Sequence, residues 1–363
     1  MQKEVGKLMV IVAVIGVCAP ASAAVLNVPS QYSTIQAAYA NCNPGDTVLV
    51  ANGTYYERLW LDRSGTACAP ITVQAANPGG AVIDAQGIAG PEDLRQVIFI
   101  GPHDGQVPPG GWYNVVQGFE ITNGREGGIS VYGSYNRITK CNIHHNGGTY
   151  GGNGIFSASL TTDNRYLGNY IHDNGRISTG SNLDHGLYLC GDNELVANNL
   201  IVSNCTYGIQ VAGYADGAGV FNMKIYNNTI VASRNKSGIV LWMTLNWVDI
   251  ANNIFYGNSW YGIDTWDCHG LGVQIRNNLF YANPLGTWRM NGGCPLACST
   301  VSYTTSGNIT TSDPLFVNSA SDWHLQTGSP AINSGLPVCE VNDDYDGVTR
   351  PQGGAYDMGA YER

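Results

Sequence analysis

Short runs in which every second residue is apolar mark the middle and later parts of the chain: residues 136–141 read NRITKC, 222–227 NMKIYN, 247–252 WVDIAN and 272–277 GVQIRN. A period of two is the strand period. The runs themselves recur. Each is followed by an asparagine at a fixed place, in GNYI at Asn169, NNLI at Asn199, NNTI at Asn228, NNIF at Asn253 and NNLF at Asn278, with steps of 30, 29, 25 and 25 residues. Cys141 fills the same slot 28 residues before the first. Two places on stands a large apolar residue, in order Ile143, Ile171, Ile201, Ile230, Phe255 and Phe280. A glycine followed by an aliphatic keeps step, at Gly128, Gly154, Gly186, Gly208, Gly238 and Gly262. Such a period means one supersecondary unit stacked many times. Each unit reads as three short strands joined by corners. The repeated asparagine is expected at a corner, supplying the left-handed bend and passing amide hydrogen bonds from coil to coil.

Composition removes the helical alternative, because 47 Gly, 15 Pro and only 12% charged residues do not make paired-helix arrays. The opening VPSQYSTIQAAYANCNPGDTVLVANGTYYERLWL and the closing DPLFVNSASDWHLQTGSPAINSG and DYDGVTRPQGGAYDMGAYE complete the pattern. From about residue 26 onward the chain resembles the right-handed parallel β-helix proteins of the pectate-lyase-like superfamily. The resemblance implies an all-β, single-stranded right-handed parallel β-helix with three strands per coil and an asparagine corner ladder. It also implies a short N-terminal capping helix near residues 34–41. The expected division is a secretory signal peptide at 1–23, the capped β-helix at 24–335 and a closing segment at 336–363.

The signal rests on Lys3 and Lys7, an apolar run from Leu8 and the small residues Ala21, Ser22 and Ala23. A secreted protein, extracellular or periplasmic and monomeric, follows as the expectation. Nine cysteines then remain, and an oxidising compartment permits Cys42 with Cys68, Cys190 with Cys205, and a tie among Cys268, Cys294 and Cys298. Cys141, in the corner column, is expected to stay a core thiol. A net charge of −10 argues against nucleic acid or an anionic membrane as partner. An acidic polysaccharide would need a local cationic cleft or bound calcium.

In a stack of this kind, residues one repeat apart stand about 4.8 Å apart. Counting outward from the asparagine column brings His144, His145, His172 and Asp173 together on two coils. The segment GRISTGSNLD then leads to Asp184 and His185 at the start of a strand where Tyr188 faces outward, Leu187 and Leu189 pointing in. Farther along come Gln210, Val240, Trp242, Asp264 and Trp266, with Asp267 and His269 beyond, a mixture of aromatic and polar groups suited to a sugar groove. Arg137 and Arg165 share a column with Lys224, while Arg125, Arg176, Arg234 and Lys236 lie in or near loops. The run Asp343, Asp344, Asp346 before Gly347 lacks calcium-loop spacing and reads as a closing turn.

The resemblance implies action on polysaccharides, most often β-elimination from a uronic acid chain. The base would be His185 or His172, oriented by Asp173 or Asp184, with Tyr188 protonating the leaving oxygen and Arg176 neutralising the carboxylate. His144, His145, Gln210, Trp242, Asp264 and Trp266 would bind substrate. Calcium is the one cofactor the resemblance admits, although the calcium-binding aspartate constellation and paired cationic motif of the pectate-cleaving branches are missing, as is the DPHD of the epimerases. Proton abstraction without elimination would give an epimerase. A hydrolase would use Asp173 with Asp184, since Asp184 and Asp264 are three coils apart, and a carbohydrate-binding surface protein is the non-catalytic alternative.

Overall fold

The computed structural model describes residues 23–88, 95–102, 110–148, 151–176, 183–213, 219–290 and 300–363. Residues 1–22 of the expected signal peptide, Cys294 and Cys298 lie outside the described residues. The strands stack in parallel on three faces. The first face runs from Leu59–Leu61 through Gln96–Ile100, Gly127–Val131, Asn153–Ser157, Leu187–Leu189 and Ile209–Gly213 to the start of Ile239–Ala251 and of Tyr261–Arg276. The second face starts at Val25–Val28 and passes through Asn114–Gln117, Arg137–Thr139, Arg165–Leu167 and Leu195–Ala197. The third is a stack of nine strands from Gly53–Tyr55 to Leu279–Tyr281. This is the expected β-helix, with a helix at Ile35–Tyr39 whose Thr34 side chain accepts from the Ala37 amide.

The repeat now has a physical cause. Ile143, Ile171, Ile201, Ile230, Phe255 and Phe280 all point inward and are buried, each worth about 1.5–3 kcal/mol in surface removed from water. The recurring glycine sits where coils come closest. A Cβ at Gly154 would meet Ile171 Cγ2 at 2.6 Å and the Gly186 carbonyl at 2.7 Å, and one at Gly186 would meet the Gly208 carbonyl at 2.5 Å. Only glycine fits under the next coil.

At the corner between second and third faces the Asn-Asn pairs divide two tasks. The second asparagine builds the ladder: Asn199 Oδ1 accepts from the Asn169 amide at 2.8 Å, Asn228 from Asn199 at 2.9 Å, and Asn253 from Asn228 at 2.8 Å. The left-handed bend falls one residue earlier than the sequence suggested, on Asn198, Asn227, Asn252 and Asn277, with φ of 56, 52, 59 and 47°. The ladder residue must keep extended geometry to reach along the stack, so the bend passes to its neighbour. Those bent asparagines hold the C-terminal segment, donating to the carbonyls of Asp343, Asp357, Leu336 and Ser334. Within that segment Asp344 accepts from the Val348 and Glu362 amides, as a closing turn should.

Two disulfide expectations fail. Cys42, Cys190 and Cys205 are buried thiols, and Cys68 is disulfide-bonded to a residue other than Cys42. Cys190 follows a first-face strand and Cys205 a third-face strand, and Cys205 Sγ lies 2.9 Å from the Arg176 carbonyl. Cys141 is a buried core thiol whose titration burial pushes up to about 12.

Candidate active site

The outward column of the third face carries the histidines. His144 and His172 are register partners with ring centroids 4.9 Å apart, and Tyr170 stacks on His172 at 4.0 Å. His145 and Asp173 follow at the corner with φ of 52 and 51°. The same bend recurs at Ala232 and Ala282, so it belongs to the winding and is no sign of stored catalytic strain.

The hydrogen bonds around His144 fix an order of protons. Its Nε2 lies 3.1 Å from Glu120 Oε1, and its Nδ1 lies 2.8 Å from His145 Nδ1. A carboxylate only accepts, so His144 Nε2 carries the hydrogen. Burial lowers the His144 pKa, opposed by Glu120, and favours the neutral ring. Its Nδ1 lone pair then accepts from His145 Nδ1–H. With both rings neutral, the lone pair left over is on His145 Nε2. His145 is exposed.

His145 lines a cleft of about 460 Å³ together with Arg58, Gln86, Asn123, Arg125 and the glycines that follow it. Arg125 is exposed and forms no ion pair among the described residues. Burial, then the charge of Arg125, depresses the Arg58 pKa, a sign that the two guanidinium groups share one neighbourhood. A chain of net charge −10 thus places two arginines at one cleft.

The other predicted residues fall elsewhere. His172 has both ring nitrogens engaged, Nδ1 with Asp173 at 2.7 Å and Nε2 with the Asn142 side chain at 3.0 Å. Asp173 is also paired with Arg234. Asp184 and His185 open the first-face strand on the far side of the corner, and both are buried at 0% exposure instead of standing at an open corner. Arg176 grips Asp184 through Nε and Nη2, each at 3.3 Å, which engages the cation meant for a substrate carboxylate. His185 Nδ1 meets Thr206 Oγ1 at 2.7 Å, and its ring packs near Tyr188 and Tyr207 at 5.6 and 5.5 Å. Tyr188 is buried beside Cys190 and Ala212. His172 and His185 therefore occupy different faces and share none of these partners.

A second, smaller cleft of about 150 Å³ lies along the first face, lined by Leu183, Tyr207, Gln210, Val240, Trp242 and Trp266. The strand after His145 is three steps from that of Trp242, roughly 14 Å along the stack at the strand spacing. Asp264 does not reach this cleft. It is buried, with Arg289 Nε and Nη2 at 2.7 and 2.8 Å. Among the described residues no three His, Cys, Asp or Glu side chains converge as metal ligands.

Glu120 was not anticipated. It is the register partner of Asn142 one coil earlier, so extending the column count past Cys141 would have placed it beside His144. Arg58 lies in the coils before the asparagine repeat begins and carries no such signal.

A family model described as "Pel9A-like, right handed beta helix region" matches residues 21–184. The crystal structure of pectate lyase Pel9A is similar over 94% of this chain and 96% of that one, with 19% identity and a TM-score of 0.58. Weaker likenesses are an alginate lyase from Paenibacillus sp. str. FPU-7, with 16% identity, TM-score 0.40 and coverage of 79% and 97%, and the periplasmic alginate epimerase AlgG, with 14%, 0.42, and 74% and 61%. No curated protein matches. The chain has the fold of a right-handed parallel β-helix, and its first half matches the Pel9A-like β-helix model.

Proposed function

We propose that the protein acts on an acidic, uronate-containing polysaccharide as a lyase or related epimerase, with His145 as the base. The observation that carries this reading is the hydrogen-bonded series Glu120, His144, His145 ending at a cleft with two guanidinium groups. Proton loss beside a carboxylate is hard because the developing charge spreads onto a group already negative. Arg125, exposed at the cleft beside Arg58, offsets that charge. His145 Nε2 takes the proton from the carbon α to the carboxylate. The released pair forms a double bond to the β carbon as the bond from that carbon to the glycosidic oxygen breaks, and water protonates the departing oxygen. Return of a proton to the opposite face, without that cleavage, is epimerisation.

The hydrolytic reading is weakened by the same geometry, since Asp173 and Asp184 are each held by an arginine and neither is placed to give up a proton. Farther along, Trp242 and Trp266 offer aromatic surface to neighbouring sugars. Export, expected from residues 1–23, suits a polymer substrate.

The test incubates the protein with pectate, alginate and glucuronan while following the ultraviolet absorbance of unsaturated ends and, by proton NMR, inversion of the uronate. His145→Ala should lower kcat/KM by about 10²–10⁴-fold, the usual contribution of a general base. Because Arg125 supplies neutralising charge, turnover should persist in a calcium chelator. Cleavage by His145→Ala at the wild-type rate overturns the assignment.

A further inference from the structure

A groove of about 280 Å³ lies at a different corner, between the first and second faces, and the cleft chemistry does not use it. Its walls combine aromatic rings with cations. Tyr113 and Tyr135 stack face to face, centroids 4.7 Å apart and planes 7° from parallel, with Trp112 set edge-on to Tyr135 at 6.2 Å. Tyr135 keeps 39% of its surface exposed. Beside this shelf stand Arg137 and Arg165, register partners on adjacent second-face strands and both exposed.

Two like charges at the strand spacing of about 4.8 Å repel by about 1 kcal/mol even in water. The next cation in the column, Lys224, is relieved by Glu340 at 2.5 Å. Neither Arg137 nor Arg165 forms a direct ion pair among the described residues, although Glu340 lies near enough to feel the Arg165 charge. Asp163 at the groove edge is engaged by the Thr162 hydroxyl at 2.7 Å. An anion spanning both guanidinium forks would remove the repulsion and gain paired hydrogen bonds. A pyranose ring fits the tyrosine shelf.

We infer that this groove is a second, non-catalytic binding site for a uronate-bearing polysaccharide, which holds the polymer while the cleft at the other corner acts on it. The substrate class rests on the function proposed above; the site itself rests on Arg137, Arg165 and the tyrosine stack. The paired cations and the tyrosine shelf extend over adjacent coils along the stack, so the site favours uronate-bearing polymers over single sugars and over neutral glycans.

The experiment is affinity electrophoresis of the full chain in gels containing polygalacturonate, alginate or a neutral glucan, comparing wild type, R137Q/R165Q and H145A. R137Q/R165Q should lose roughly tenfold in apparent affinity for the uronan gels, the effect of about 1.4 kcal/mol. It should cleave short oligouronates at the wild-type rate, and H145A should still be retarded. Unchanged retardation of R137Q/R165Q overturns the inference, as does equal retardation of wild type by the neutral glucan. Loss of retardation in a protein that processes no uronan would leave this site standing and sink the catalytic reading. Uronan cleavage with unchanged retardation would do the reverse.

Discussion

The Tyr166 hydroxyl donates to Glu194 Oε1 at 3.1 Å, with both side chains out of reach of water. Glu194 continues the column of Asn114, Asn136 and Asn164: Asn136 Oδ1 and Asn164 Oδ1 accept the amide protons of the coil before, and Asn164 Nδ2 donates to Glu194 Oε1. A carboxyl in that place is pushed up to about 7, mainly by burial. From the ordinary value of 4.5 up to about 7 the folded protein holds a proton that the unfolded chain releases, so stability falls as pH rises through this window. At about 1.36 kcal/mol per pKa unit the loss is about 3 kcal/mol. Glu194→Gln keeps an acceptor and removes the titration. Thermal unfolding at pH 5 and pH 8 should show a flatter profile for the variant and a higher Tm than wild type at pH 8. Parallel profiles would mean that the pH dependence comes from elsewhere.

Glu120→Gln tests the order of protons in the catalytic reading. An amide can present its NH₂ to His144 Nε2, which moves the hydrogen to Nδ1 and turns His145 to face with its own lone pair. The base is then protonated on the nitrogen that should be bare. We expect kcat to drop by an order of magnitude or more, towards the roughly 10⁴-fold cost of a wrong imidazole tautomer, with KM little changed. A rise in KM at constant kcat would instead make Glu120 a binding residue.

Much of this was readable from the chain. Alternation and the asparagine spacing give the winding, and the winding alone puts His144 over His172. Column counting works for residues on one flat face because the strand spacing is constant. It fails at corners. Nothing in GRISTGSNLD says that Asp184 and His185 turn under the surface, or that Arg176 closes on Asp184, because the neighbours that bury a corner residue are not set by the period. Asp264 misled for a related reason: its outward register is correct up to the point where Arg289, a coil farther on, covers it. The cleft draws both Arg58 and Arg125 from before the first repeated glycine, a pairing that no period encodes.

The two asparagines of each pair should respond differently to replacement. Asn228 Nδ2 donates to the Val196 carbonyl and to Asn253 Oδ1, both at 2.9 Å, while its Oδ1 accepts from the Asn199 amide at 2.9 Å. Asn228→Ala leaves several buried groups unpaired, at about 1–3 kcal/mol each, and should cost roughly 3 kcal/mol or more. Asn227 is bent at φ 52° and bonds the Asp357 carbonyl of the tail at 2.9 Å. Asn227→Gly keeps the bend but loses this bond and the one its Oδ1 accepts from Asn252 Nδ2 at 3.2 Å, so it should cost about 2 kcal/mol at roughly 1 kcal/mol net for each. Urea unfolding of both variants decides, and equal losses would refute the division of tasks.

Asp264 and Arg289 supply the sharpest contrast between a binding residue and a structural one. Asp264 is fully buried, held by two nitrogens of Arg289 and by the Thr265 amide at 2.8 Å. Arg289 keeps 28% of its side chain exposed, so the burden of burial is unequal. Removing the cation strands a carboxylate in the interior; removing the carboxylate leaves a cation that water can still reach. Arg289→Gln should therefore destabilise by about 3–5 kcal/mol, the range for breaking a buried pair. Asp264→Asn should cost less. Neither should change the affinity for oligosaccharide at the cleft of Trp242 and Trp266, whereas Trp242→Ala should weaken it. Calorimetric unfolding alongside oligosaccharide titration separates these cases: an Asp264→Asn protein with unchanged Tm and lost binding would return Asp264 to the substrate groove.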